Sequence, residues 1–415
     1  MTARPRIGIV DAYSSAHRLA PGFHAAGFDV VHVQSTPTIP QVYRASFRRE
    51  DFVDNVVHDG DMKQLLRQLK KHEPTHVIAG IESGVELSDQ LSERLGLRTN
   101  GTALSAARRD KFRMIESVRA AGLRTAQQIR TSDEQELAMW HESVGDRIVV
   151  KPLKSAGNDG VFFCDTPEQA GAALRSIIGA NSALSARNDA VVAQEYLYGT
   201  EFYVNTVSLD GKHRVCDIWR TSHISANGVL DLLEGSYLLP RRGPVQDELV
   251  TYALGVLDAL GIQNGPAHME VKQTPHGPAL IEVGARVCGG DMPHLAGQAV
   301  DGGQLEWTVD AYARPDRFLA RHADDYRIAR YAGCVGLVSP VRGTLRSYRG
   351  LDRVEQLDSV HQVKVFVQPG DQLVETINDF TFPASIYLLH ELESVVMRDF
   401  ATIRHLDGAH FYELA

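Results

Sequence analysis

Two short apolar stretches, Gly265-Pro266-Ala267-His268-Met269-Glu270-Val271-Lys272 and Ala279-Leu280-Ile281-Glu282-Val283-Gly284-Ala285-Arg286, flank a Pro/Gly turn, and each carries one glutamate among apolar neighbours. Two such runs joined by a turn containing Gly277 predict an antiparallel hairpin. The twelve-residue separation of Glu270 and Glu282 lets that hairpin set both carboxylates side by side on one face. Carboxylates buried that close repel strongly unless cations neutralise them. Oxygen ligands of this kind suit Mg²⁺, which leaves its remaining positions to waters and phosphate oxygens. A glutamate pair on a solvated sheet face is the plainer alternative, and the apolar neighbours disfavour it. Arg286, four residues past Glu282, adds a guanidinium suited to a planar oxyanion. His268 shares parity with Glu270 and therefore its face, either as a structural hydrogen-bonder or as a base.

Two further segments carry candidate chemistry. In Val149-Val150-Lys151-Pro152-Leu153-Lys154-Ser155-Ala156-Gly157-Asn158-Asp159-Gly160-Val161, a strand delivers a lysine and a loop of small residues turns back into another strand. Small residues let backbone N–H groups approach phosphate oxygens, and a lysine on a rigid strand adds a fixed positive charge. The bland reading is a hairpin with a glycine turn. In Val191-Val192-Ala193-Gln194-Glu195-Tyr196-Leu197-Tyr198-Gly199-Thr200-Glu201, an apolar strand runs into a connection with an amide and two carboxylates. An exposed strand end of this kind can offer main-chain groups to an adenine and a carboxylate to a ribose; alone it is also an ordinary strand with a turn.

Upstream, residues 6–10, 28–33 and 75–80 read as strands and 85–95 as a helix, an alternation that predicts a small parallel sheet covered by helices. Neither G-x-G-x-x-G nor a P-loop pattern is present. Residues 102–121 read as one long helix, followed by a strand (126–130), a helix (133–143), antiparallel strands over 190–218 and a helix near 246–260. At 415 residues the chain is long enough for two or three domains. The N-terminus runs into a short strand rather than a signal-peptide core, and no apolar run reaches the roughly 18 residues of a membrane span. Four scattered cysteines without metal spacing fit a reducing cytoplasm. A net charge of −9 without a basic block gives no support for nucleic-acid binding.

The three segments, in this order, resemble the ATP-grasp superfamily, and Asp110-Lys111 at a helix head followed by Ala121-Gly122-Leu123 adds to the likeness. The resemblance implies an α/β fold with four parts: an N-terminal Rossmann-like domain (1–105), a small lid (106–195), a large mixed-sheet part with the metal site (196–329) and a C-terminal extension (330–415). It implies that Lys111 and Lys151 hold the ATP phosphates beneath a mobile loop including Ser155, Ala156, Gly157 and Gly160. Gln194 would face the adenine amino group, with the Glu195, Tyr196 and Leu197 segment on the ring edge and Glu201 on the ribose. Glu270 and Glu282 would bind two Mg²⁺ ions, or Mn²⁺. The family often has Asn two positions after the second glutamate; here that residue is Gly284.

Within the superfamily the chain is most similar to bacterial L-amino-acid ligases that make dipeptides, including those of antibiotic pathways. The residues behind this are Glu282-Val283-Gly284-Ala285-Arg286 with Gly289-Gly290, the 194–201 segment, and Asp217-Ile218-Trp219-Arg220. The activity implied is ATP-dependent joining of a small-molecule carboxylate, amino-acid-like, to an amine through an acyl phosphate, in a homodimer. Arg286 and the N–H groups around Gly289 and Gly290 would stabilise the tetrahedral oxyanion. His268 or Glu234 would serve as base. Glu82, which follows the 75–80 strand, would receive a substrate ammonium or stand simply as an acid at a helix N-terminus. Trp219, Tyr237 and His294 would wall the pocket. The alternatives are a ligase for other carboxylates or amines in secondary metabolism, and a nucleotide-binding protein without turnover.

Overall fold

Strands rich in β-branched residues, Asp54–Val57, Asp29–Gln34, Arg6–Val10 and Pro74–Ala79, lie side by side in that order, all parallel. A computed structural model describes residues 4–155, 157–180 and 187–415. Parallel pairing demands crossovers, which helices such as Leu19–Ala25 and Met62–Lys70 supply. Both faces of the sheet are covered: Val10, Val31 and Val77 meet Leu65, Leu69 and Leu91 on one side, and Ile7, Ile9 and Ile78 meet Leu19 and Phe23 on the other. The helix Val85–Leu95 falls where its sequence places it and stops at Gly96, whose φ of +67° suits a residue without Cβ. Asp11 and Glu82 thus stand just beyond the carboxyl ends of adjacent strands, where open parallel sheets present ligand sites.

The long helix expected over 102–121 is shorter. It runs over Lys111–Ala120, with the Asp110 side chain accepting from the Arg113 amide as its cap. Residues 102–109 form turns because Arg108, fully buried, is drawn to Asp89 and to the Leu260 carbonyl. Periodicity alone does not register a tertiary pull of that kind. The helix buries Met114, Ile115 and Val118 with Val256, Leu257 and Val283, in the core of the largest sheet. Lys111 is thereby held at the base of the lid sheet. That sheet is antiparallel, in the order Gln128–Thr131, Val191–Glu195, Ile148–Pro152, Phe162–Cys164, backed by the helices Glu134–Val144 and Pro167–Ile177.

The largest sheet has eight strands in the order Gly277–Gly284, Gly265–Thr274, Thr200–Leu209, Lys212–Ala226, Val229–Leu238, Tyr331–Gly336, Ala384–His390, Val360–Val365. Its last three strands come from the segment after residue 330, so that segment extends the same sheet. Trp219, expected as a pocket wall, lies in the sheet's core instead, with no exposed surface and its indole N–H donating to Asp217 at 2.7 Å. A large apolar ring on a long central strand is worth more buried than lining a wet cleft. Among the described residues, no helix is long and apolar enough to cross a membrane.

Candidate active site

The hairpin forms as its pattern requires. Glu270 pairs directly opposite Glu282 and His268 opposite Gly284, with an irregularity just after Glu270 that leaves Ile281 out of the pairing. Directly opposed residues share a face, so the two carboxylates lie together. The Lys111 ammonium sits on the Glu282 carboxylate and also donates to the Ser155 carbonyl at 3.2 Å. Lys151, on the lid strand, is almost wholly buried; burial and the neighbouring Lys111 lower its pKa to about 8, against the pull of Glu282 and Glu270.

These four side chains line a cleft between this four-stranded antiparallel sheet and the large sheet. Ser155 and Gly157 line it from the loop after Lys151, and Gln194, Glu195, Tyr196, Leu197 and Glu201 line it from the 194–201 segment. Gln194 is braced by Gln128 (3.0 Å), and the Glu195 and Tyr196 amides bond Gln127 and Arg147 carbonyls, which fixes the connecting segment. Gly160 packs against Pro152 instead of lining the cleft, and Ala156 lies outside the described residues.

Several cleft residues were absent from the sequence expectations. Lys272 bonds Asp231 at 2.8 Å and approaches Glu201 at 3.7 Å; His223 stands 4.0 Å from each of these acids. Lys272 had a readable signal, since it follows Glu270 by two on the same strand and must share its face. Asp231, His223 and Asp379 come from distant strands and a late loop, and nothing local marks them.

Whether these residues suit a divalent cation can be judged from their charge. The cleft is lined by six carboxylates (Glu195, Glu201, Asp231, Glu270, Glu282, Asp379) and three lysines (Lys111, Lys151, Lys272). Burial and the charge of Glu270 push Glu201 up to about 8 and Asp379 up to about 6, the mark of uncompensated negative charge. A triphosphate entering such a cleft needs added positive charge, and the all-oxygen pair Glu270 and Glu282 is the donor set that fits Mg²⁺. No group of three or more His, Cys, Asp or Glu placed to hold a metal occurs among the described residues.

A second cluster adjoins the hairpin. Glu82, expected to take a substrate ammonium, instead lies buried between two guanidiniums: Arg109 donates to one oxygen at 2.6 Å and Arg286 to the other at 2.7 Å. Burial alone would raise its pKa, but Arg286 and Arg109 hold it near 2. This pair also accounts for Gly284. A Cβ there would lie 2.8 Å from Glu82 Oε2 and 3.0 Å from Arg286 Nε, so the space for an Asn side chain is already filled.

His268 reaches the metal pair through a relay. Asp217 accepts from the Asn205 amide (2.5 Å), which turns the Asn205 oxygen toward His268 Nδ1 (2.7 Å). Nδ1–H donates to the Asn205 oxygen, and Nε2 faces Glu270 Oε1 at 3.5 Å, a favourable contact only when Nε2 is protonated as well. Both nitrogens are engaged, which favours the structural hydrogen-bonder over the base, the two roles its sequence position leaves open. Glu234, the other base candidate, is tied to Ser222 (2.6 Å) and Arg404 (2.8 Å). Tyr237 meets Phe400 edge to face and carries the Arg220 guanidinium over its ring, and His294 meets Gln298 at 3.2 Å; neither Tyr237 nor His294 lines the cleft. Gly289 and Gly290 follow Cys288, whose carbonyl accepts from Ser15 and whose amide donates to Gln304; Gly290 has φ +63°.

The ATP-grasp domain model matches residues 144–293, which include the phosphate loop, the 194–201 segment and the hairpin. Dapdiamide A synthase of Enterobacter agglomerans is 33% identical over 416 residues, covering 98% of this chain and 97% of that protein. This chain belongs to the ATP-grasp ligases. The ligase is also 23% identical to the L-arginine-specific L-amino acid ligase of Bacillus subtilis, over 87% of this chain and 86% of the relative. Its fold matches the crystal structure of an L-amino acid ligase from Bacillus licheniformis with a TM-score of 0.78 at 18% identity, covering 100% of both chains. It is an ATP-dependent carboxylate–amine ligase. Its large sheet, expected to be mixed, is antiparallel at every pairing, because several of its strands follow one another as hairpins.

Proposed function

We propose that this ligase joins two amino-acid-like substrates, activating the carboxylate of one as an acyl phosphate for attack by the amine of the other. The observation that carries this reading is one cleft lined both by Glu270, Glu282, Lys111 and Lys151 and by Gln194, Glu195, Tyr196, Leu197 and Glu201. ATP lies along it, adenine against Gln194 and the 195–197 connection, ribose at Glu201, phosphates at the two lysines under Ser155 and Gly157. Mg²⁺, or Mn²⁺ in its place, would be held by Glu270 and Glu282 and, when bound, offsets phosphate charge.

The obstacle to the first step is electrostatic, because a carboxylate must approach a polyanion. Each like-charge pair at about 4 Å and an effective dielectric near 20 costs about 4 kcal/mol. Lys111 and Lys151 lower that cost and orient the terminal phosphoryl group toward the carboxylate oxygen. The amine then attacks the acyl phosphate, and the charge on the tetrahedral intermediate falls to Arg286, which Glu82 holds in a fixed rotamer, and to the Gly289 and Gly290 amides. Phosphate departs with the former carboxylate oxygen. Glu82 is thus a positioning residue for Arg286.

Incubating the ligase with ATP, Mg²⁺ and all pairs of the twenty amino acids tests this. At least one pair should release phosphate and give a product whose mass is that of the two amino acids less one water. Phosphate release only with acids or amines that are not amino acids would shift the assignment to those substrates.

A further inference from the structure

The segment after residue 330 does more than extend the large sheet. It sends a short hook, Asn378–Thr381, back to the nucleotide cleft, where Asp379 is part of the lining. The hook is internally braced. Asn378 Oδ1 accepts from the Phe380 amide at 3.1 Å, and Thr381 Oγ1 accepts from the Ile377 and Asn378 amides at 2.9 and 3.0 Å. Asn227 anchors its base by donating to the Thr376 carbonyl at 2.8 Å. On this mount Phe380 is left 43% exposed.

What lies next to it is the phosphate loop. A Cβ on Gly157 would stand 2.7 Å from Phe380 Cε2, so the ring packs directly on the Gly157 backbone. Beside it, Asn158 Nδ2 donates to Asp379 Oδ1 at 3.3 Å. Gly157 and Asn158 have φ of +64° and +60°, left-handed values that Gly and Asn tolerate, so the loop presents its backbone to the hook. From the opposite side Lys154 is tied to Glu86 of the N-terminal domain at 3.0 Å. The loop is therefore gripped by two parts of the chain that do not belong to the lid.

We infer that Phe380 and Asp379 are positioning residues that clasp the phosphate loop over bound ATP. This rests on the assignment of the cleft to ATP. The clasp keeps Gly157 and Asn158 seated while an acyl phosphate, which water would destroy, waits for the amine. Because the hook belongs to the sheet extension, closure of the loop depends on a segment outside the nucleotide-binding parts.

Hydrogen exchange of the backbone amides of residues 157–161, with and without saturating ATP and Mg²⁺, tests the clasp without knowledge of the substrates. In the full-length ligase ATP slows these amides. In Phe380→Ala and in Asp379→Ala the ATP complex should exchange there about tenfold faster, while Phe380→Tyr, which keeps the ring, stays near the parent. Phe380 is exposed, and Asp379 is half-buried at the cleft among like charges, so overall unfolding curves should be nearly unchanged. Equal ATP protection in the parent and both alanine variants would overturn the clasp and leave the nucleotide site standing. No ATP protection in any of them would remove both.

Discussion

Replacing Glu282 with Gln lowers ATP turnover by roughly a thousandfold or more, the scale expected when a preorganised charge is removed from a phosphoryl-transfer site. The substitution changes almost no volume, so the effect is electrostatic. One of two opposed carboxylates becomes neutral, and the Lys111 ammonium loses the charge on which it sits. Fold stability should change little. Glu282 opens onto the cleft, and Lys111 keeps the Ser155 carbonyl as acceptor. Steady-state ADP formation in the presence of a productive substrate pair, measured beside thermal unfolding, separates the two effects. Parent-like turnover in the folded variant would remove Glu282 from the metal site.

The second large effect is on pH dependence. Burial and Lys111 lower the Lys151 pKa to about 8. A bound triphosphate favours the charged form and raises that value, so ATP binds the protonated lysine preferentially. ATP affinity therefore falls as pH rises through about 8, and ionisation of Asp379 near 6 and of Glu201 near 8 adds to the fall. Binding near pH 8 takes up protons, which calorimetry in buffers of different ionisation enthalpy reads directly. Lys151→Arg stays charged throughout and should flatten the profile, with weaker binding at neutral pH because the planar fork fits a lysine's place poorly. An affinity for the parent that holds steady to about pH 10 would contradict a phosphate contact at Lys151.

What could be read from the sequence follows from how local each signal is. The hairpin declared itself because period-two alternation and a Gly turn determine register, and register determines which side chains oppose. The Val85–Leu95 helix and the parallel strands were legible from signals just as local, a helical pattern following short continuous apolar runs. Residues 102–109 were misread as helix because the buried Arg108 makes its contacts with Asp89 and Leu260, remote in sequence. Glu82 was singled out for its place after a strand, yet its two guanidinium partners come from positions 109 and 286, and only the fold brings them together. Trp219 looked like a pocket wall beside charged neighbours and proved to be core, since its strand is central to an eight-stranded sheet. Asp379 and Phe380 had no motif at all; their roles exist only because a late loop returns to the cleft.

The most direct measurement follows oxygen. With a productive pair found, the carboxylate of the activated substrate is labelled with ¹⁸O at both oxygens and the products are analysed by mass spectrometry. Transfer through an acyl phosphate places one ¹⁸O in the released phosphate and leaves one in the amide, with ADP unlabelled. Unlabelled phosphate, or label appearing in AMP alongside pyrophosphate, would contradict it.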